Sequence, residues 1–338
     1  MCSPLSVSIN RKEYDTFTPE QKEDFVTRVF LYYKTHGFPF YPTSVSHRDS
    51  EFIKLRDFPT GNIISNKIIG QSMHGLGLAW SYFPHSFSVR CNGLRTPMEN
   101  FLDNEVFMKV IRKRMVMGTY MSDSGIRKML RMYTGSQGVS NFRPTAASAI
   151  YDTYMKKGET TWDMCAGYGG RLLGAIKSEV NYIGNDPDVL TFTGLFRLAS
   201  DYARGIIVEL VNEGCDVRPP SRNSVDFAFT SPPYFNTEKY SDSDTQSCVK
   251  YPDYDLWVDG FLSSMARNVN VSLRGSYCAI NVCNTKTAKT LEADTIRVFC
   301  ENGFKLEDEL KLTLSKFSTK NDASKYKYEP VFIFKKIN

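Results

Sequence analysis

Ser231-Pro232-Pro233-Tyr234 closes the apolar run Val225-Asp226-Phe227-Ala228-Phe229-Thr230, and these residue types build a stiff acceptor site. Neither proline has an N–H, each fixes its own φ, and the residue before each is held extended. Such a turn can present the Ser231 hydroxyl and the backbone carbonyl of Pro232 to an –NH2 group. The Tyr234 ring then stands ready to stack on a planar partner. A strand that merely ends in a proline turn would carry the same residues, so their company must decide.

Upstream, Thr161-Trp162-Asp163-Met164-Cys165-Ala166-Gly167-Tyr168-Gly169-Gly170 begins as a short strand and enters a glycine turn, and Arg171–Ile176 reads as a helix. Glycines belong where the backbone turns sharply and a ligand approaches a position that a Cβ would occupy. Tyr182-Ile183-Gly184-Asn185-Asp186 is a second strand ending in a carboxylate, seventeen residues after Gly169. An acid there can accept hydrogen bonds from ribose hydroxyls. On this turn alone, NAD would fit as a ligand. A third strand candidate, Gly205–Val211, precedes Glu213-Gly214-Cys215-Asp216, and Asn141-Phe142-Arg143-Pro144-Thr145 leads into a helix with Thr145 as its expected cap.

In this order, the stations resemble the S-adenosylmethionine-dependent DNA amino-methyltransferases, which methylate the exocyclic nitrogen of cytosine or adenine. The resemblance spans residues 138–338. It implies that Ser231, Pro232, Pro233 and Tyr234 are catalytic. The cofactor contacts it implies are Asp163, Cys165, Gly167, Gly169, Asp186 and Asp216, with Asn141, Arg143 and Thr145 at the methionine end. Cys165 stands where the family has an aromatic. Serine before the prolines, in T-S-P-P-Y, leans toward cytosine N4, with adenine N6 as the alternative. An inactive methyltransferase-like DNA-binding subunit is the reading from another class. Transfer to cytosine carbon 5 is disfavoured because the chain has no Pro-Cys dipeptide. No metal is implied. Double-stranded DNA with a flipped base is the implied partner, and a cognate restriction endonuclease would be a further one.

Strands alternating with helical stretches predict an α/β fold, a Rossmann-like class I methyltransferase sheet with helices on both faces. The resemblance makes the last strand, Tyr328–Lys335, antiparallel. An amphipathic helix is expected over Val258–Val269 and another over Pro19–Tyr33, capped by Thr18. The expected division is an N-terminal, mainly helical or irregular extension over 1–137 and a catalytic domain over 138–338. Target recognition is expected in the extension, with the loop Phe235–Tyr254 closing over the base and the linker Lys311–Tyr326 as a further candidate.

The chain has 338 residues, 41% of them hydrophobic, enough for two cores. Its net charge of +5 is uneven: residues 1–140 hold 18 Lys+Arg against 12 Asp+Glu, and the remainder 24 against 25. A basic front half fits a phosphate-gripping module. The densest cations are Lys109, Arg112, Lys113 and Arg114, followed by Arg127, Lys128 and Arg131, at a helical spacing that could track a DNA backbone or form a solvated helix face. The aromatic loop Phe38–Thr43 could stack on bases or pack within the fold. Eight scattered cysteines without C-x-x-C pairs fit reduced thiols in a cytoplasm. Residues Met1–Asn10 lack the pattern of a signal peptide, and no stretch is long enough to span a membrane.

Overall fold

Short apolar runs that end in glycine, proline or a carboxylate become strands in the computed structural model, which describes residues 9–316 and 326–337 apart from 71, 119 and 134. The strands of the main sheet are β1 (Ile64–Ser65), β2 (Ile68–Ile69), β3 (Thr160–Asp163), β4 (Asn181–Asn185), β5 (Val208–Val211), β6 (Val225–Thr230), β7 (Leu273–Asn281), β8 (Phe304–Lys316) and β9 (Tyr326–Lys336). They form one nine-stranded sheet in the order β1-β2-β8-β9-β7-β6-β3-β4-β5. From β7 through β6, β3 and β4 to β5 every pairing is parallel. Strand β9 runs antiparallel to both neighbours, as expected. The order reverses at β3, with β4 on one side and β6 on the other. That is where open α/β sheets leave a crevice beyond the carboxyl ends of their strands.

Strand β6 is buried over most of its length, as a parallel strand covered on both faces must be. Phe227 and Phe229 pack against Tyr151 of a helix at Pro144–Tyr154. Ala228 joins the opposite core with Trp162, Trp257, Leu262, Met265 and Phe299. The helix expected over Val258–Val269 begins earlier, at Tyr254–Trp257, passes through a π turn at Val258–Leu262 and ends at Ser272.

The chain divides into two compact units, and the division does not fall once at residue 137. One unit holds the chain up to Tyr41 together with Pro84–Ser140, and the other holds Pro42–Phe83 with the chain from Asn141 onward. Residues 42–83 lie with the sheet because β1 and β2 extend its edge. Asn66 and Lys67 take positive φ to close that hairpin. The Lys311 N–H donates to the Lys67 carbonyl at 2.7 Å, and the Thr313 hydroxyl to the Ile69 carbonyl at 2.9 Å. Of the expected linker Lys311–Tyr326, residues 311–316 are instead the end of β8 and Tyr326 begins β9, while residues 317–325 lie outside the described residues, as do residues 1–8 of the start.

The first unit is helical: α1 (Pro19–His36), α2 (Asn104–Met117) and α3 (Asp123–Met132). Thr18 caps α1 in a reciprocal box with Gln21, as its sequence predicts. Apolar residues three and four apart bring Val26, Val29 and Tyr33 of α1, Phe107, Val110 and Ile111 of α2, and Ile126, Met129 and Leu130 of α3 into one core. Phe38, from the aromatic loop, is buried in that core against Phe87 and Phe101. Packing claims that ring.

Candidate active site

Strand β3 ends on Asp163, which is fully buried and surrounded by donors. Its Oδ2 accepts from Arg171 Nε at 2.8 Å and from the Tyr182 hydroxyl at 2.7 Å. Its Oδ1 accepts from the Thr230 hydroxyl at 2.8 Å and from the Cys165 N–H at 3.3 Å. Arg171 also donates to the Cys165 carbonyl. Both carboxylate oxygens of Asp163 are thus engaged by the protein, so this expected cofactor contact shapes the glycine turn from beneath.

Within the turn, Gly167 has φ +55° and donates its N–H to Asp186 Oδ2 at 2.9 Å. A Cβ built there meets nothing nearer than the Cys165 carbonyl at 3.8 Å. The left-handed conformation favours glycine at this point. Gly169, also at positive φ, leads into the helix α5 (Gly170–Ser178), which follows α4 (Pro144–Tyr154) in the chain. Gly170 is required by close approach: a Cβ would lie 2.0 Å from the Phe142 carbonyl oxygen and 2.6 Å from Asn141 Oδ1. Gly170→Ala should therefore destabilise the protein by about 1–3 kcal/mol, the usual range for overpacking, read as a lowered urea midpoint with unchanged slope.

Asn141 donates from Nδ2 to the Tyr168 carbonyl at 2.8 Å, which fixes the segment before α4 against the glycine turn. Thr145 is not the cap of α4. Arg143 occupies the N-cap position without a side-chain cap bond, because Pro144 takes the first helical position. The Thr145 hydroxyl is instead fully buried and has no hydrogen-bond partner among the described residues.

Asp186 is half-buried at the end of β4 and accepts from the N–H groups of Gly167 and Asp188. Burial pushes its carboxyl up to about 7, against the opposing pull of those two bonds. The neighbouring Cys215 thiol first, and burial second, hold the Cys165 thiol well above its ordinary range, and both cysteines are free. Asp216 follows, with its carboxylate paired to Lys250 from the loop Phe235–Tyr254. This acid, expected as a cofactor contact, anchors that loop.

The second turn meets the first directly. β3 and β6 pair through Trp162 and Ala228, and the Cys165 N–H donates to the Thr230 hydroxyl at 3.1 Å. Residues 165–169 and 231–234 therefore leave adjacent strands side by side, at the point where the strand order reverses. Pro232 is buried, while Ser231, Pro233 and Tyr234 are half-buried. The Tyr234 hydroxyl meets the Ser231 side chain and lies 3.4 Å from Glu329 Oε2. Phe235 has φ +56° and is buried edge-on against Tyr254 and Trp257. A bulky residue in that conformation is strained, and the surrounding rings must hold it there.

The sequence reading missed Arg171, Tyr182, Thr230, Asn185 and Glu329. Asn185 is fully buried and accepts from Trp162 Nε1 while donating to the carbonyls of Glu213 and Arg218, which ties the turn around Asp216 to β4. The threonine of T-S-P-P-Y was the available signal: a hydroxyl at the end of a buried strand needs a partner.

In the helical unit, the basic helix face is largely engaged internally. Arg112 pairs with Glu23, and Arg114 donates to the Tyr120 carbonyl. Lys113 lies over the Tyr133 ring. Buried Arg127 donates to the carbonyls of Pro39 and Phe40, and Arg131 to that of Val139. Lys109 and Lys128 are the exposed members of this group. Among the described residues no helix is long and apolar enough to cross a membrane, and no group of three His, Cys, Asp or Glu side chains could hold a metal ion.

No family model matches the chain, and no curated protein matches it. Solved structures do. TrmN from Thermus thermophilus aligns at 15% identity with a TM-score of 0.41, covering 57% of this chain and 49% of its own, about half its length. A methyltransferase from Pyrococcus furiosus aligns at 14% identity and TM-score 0.41, covering 58% and 83%. Magnesium protoporphyrin IX methyltransferase from Synechocystis aligns at 11% identity and TM-score 0.39, covering 57% and 77%. The class of the fold rests on its strand order and glycine turn.

Proposed function

We propose that the protein is an S-adenosylmethionine-dependent methyltransferase acting on the exocyclic amino group of a nucleobase, cytosine N4 in DNA, with adenine N6 as the second reading. The observation that carries this is the Thr230 hydroxyl, which bonds the glycine turn to the base of the Ser-Pro-Pro-Tyr turn. A cofactor turn and an amino-acceptor turn joined in one cleft suit transfer between the two.

The residues fit the cofactor. Gly167 leaves open space above the turn, and the orphaned Thr145 hydroxyl at the uncapped start of α4 suits a carboxylate. Asp186 can accept from ribose hydroxyls. S-adenosylmethionine supplies an electrophilic methyl group on a sulfonium. Ser231 and the Pro232 carbonyl accept the two N–H bonds of the amino group, which turns the nitrogen lone pair out of conjugation and toward the cleft. Tyr234 supplies the stacking face for a base swung out of its duplex. Lys109 and Lys128 are left to meet phosphates.

Calorimetry with S-adenosylmethionine tests the reading: micromolar to submillimolar binding is expected, and no binding at millimolar cofactor would end it. Affinity should tighten as pH rises through about 7, because the ionised Asp186 accepts hydroxyl bonds better, and Asp186→Asn should flatten that dependence. In the free protein the sign is reversed. A carboxyl raised from 3.8 to about 7 on folding adds stability below pH 4 that is lost between pH 4 and 7.

A further inference from the structure

We propose that Glu329 sets the direction of the hydrogen bonds at the transfer site, holding Tyr234 as a donor so that Ser231 donates to Tyr234 and turns its lone pairs to the amino group. The inference rests on the methyl-transfer reading above.

A serine hydroxyl both donates and accepts, whereas a carboxylate only accepts. For Ser231 to accept from an –NH2 group, its own hydrogen must point elsewhere. The structure offers one such route. Because β9 is antiparallel, its start lies at the carboxyl edge of the sheet, with Val331 paired to Asn281. The Asn281 side chain donates to the Pro330 carbonyl at 2.9 Å, which pins the residue next to Glu329. Glu329 Oε2 then stands 3.4 Å from the Tyr234 hydroxyl, and that hydroxyl also meets the Ser231 side chain. The bond is long, as such contacts often are before substrate closes the site.

An ionised Glu329 accepts only, so Tyr234 donates to it and is left with lone pairs for the Ser231 hydrogen. Burial and the Glu329 charge, with Cys283 and Glu238 nearby, hold the phenol well above its ordinary range, so it stays a donor. The Cys283 thiol, 4.0 Å from Glu329 Oε1, is a donor on the same carboxylate and does not reverse the chain. Glu329 is thus a positioning residue for Ser231.

Glu329→Gln introduces donors that can reverse the chain. It should lower kcat about tenfold or more, the worth of one well-placed hydrogen bond, with cofactor affinity within about twofold of wild type. In a Ser231→Asp background, where the acceptor needs no direction, the same change should have no further effect. An unchanged kcat in Glu329→Gln, or an equal loss in both backgrounds, overturns the proposal. Neutron diffraction from deuterium-exchanged crystals reads the same point without turnover. A Tyr234 deuteron toward Glu329 and a Ser231 deuteron toward Tyr234 are expected, and a Ser231 deuteron aimed into the cleft overturns it. A wild-type protein that transfers no methyl group ends the functional reading instead, whatever the deuterons show.

Discussion

Ser231→Ala should lower methyl transfer by at least about a hundredfold, the scale of removing one fixed polar group from a reacting centre, while cofactor affinity stays within about twofold. The separation follows from position. Ser231 lies beyond the end of β6, whereas the glycine turn follows β3 and Asp186 follows β4. Alanine keeps the proline turn and the Thr230 bonds, so the cofactor side is undisturbed and the loss falls on kcat. Single-turnover kinetics with radiolabelled cofactor would measure it, with equilibrium binding measured in parallel. Full turnover in Ser231→Ala would remove the hydroxyl from the site.

Asp163→Ala has the largest expected effect on stability. Its side chain is fully buried and that of Arg171 nearly so. Removing the carboxylate leaves a guanidinium without its counter-charge and also withdraws the acceptor of Tyr182, Thr230 and the Cys165 N–H. Breaking a buried pair from one side costs about 3–5 kcal/mol, a large fraction of the stability of most domains. Urea unfolding would read it as a lower midpoint. Removing both members, with Arg171→Met added, should recover part of the loss, because the unpaired charge goes with its partner. A loss below about 1 kcal/mol in the single variant would mean that solvent or another acid already compensates Arg171.

Legibility of the fold followed how local the cause was. The glycine turn, the proline turn and the Thr18 box announce themselves because each constrains its own backbone. The ends of the five parallel strands were placed to within a few residues because such strands read as apolar runs, whereas β8, whose charges interrupt its apolar residues, was not foreseen. Thr145 misled because the hydroxyl suggested a cap and the proline before it displaced the helix start. Residues 42–83 gave no sign of joining the sheet, since two-residue strands carry no periodicity and Asn66-Lys67 lacks the glycine of a common hairpin turn.

Side-chain partners distant in sequence were the least legible. Helical spacing alone suggested a phosphate-tracking face, yet Arg127 and Arg131 turn back to carbonyls that only the fold brings near. Arg171 reads as an ordinary helix residue until Asp163 is placed beneath it. Glu329 sits in a strand whose apolar run hides its one acid, and its relation to Tyr234 depends on β9 running antiparallel.

The most direct test is to incubate the protein with labelled S-adenosylmethionine and unmodified DNA, with RNA as a parallel arm, and to identify the labelled nucleoside after digestion. Label in N4-methylcytosine from the DNA arm is the expected result. Label in N6-methyladenine would keep the site and change the base. An unlabelled digest from both arms, with cofactor bound, would contradict the joining of the two turns into a site that methylates nucleobase amino groups.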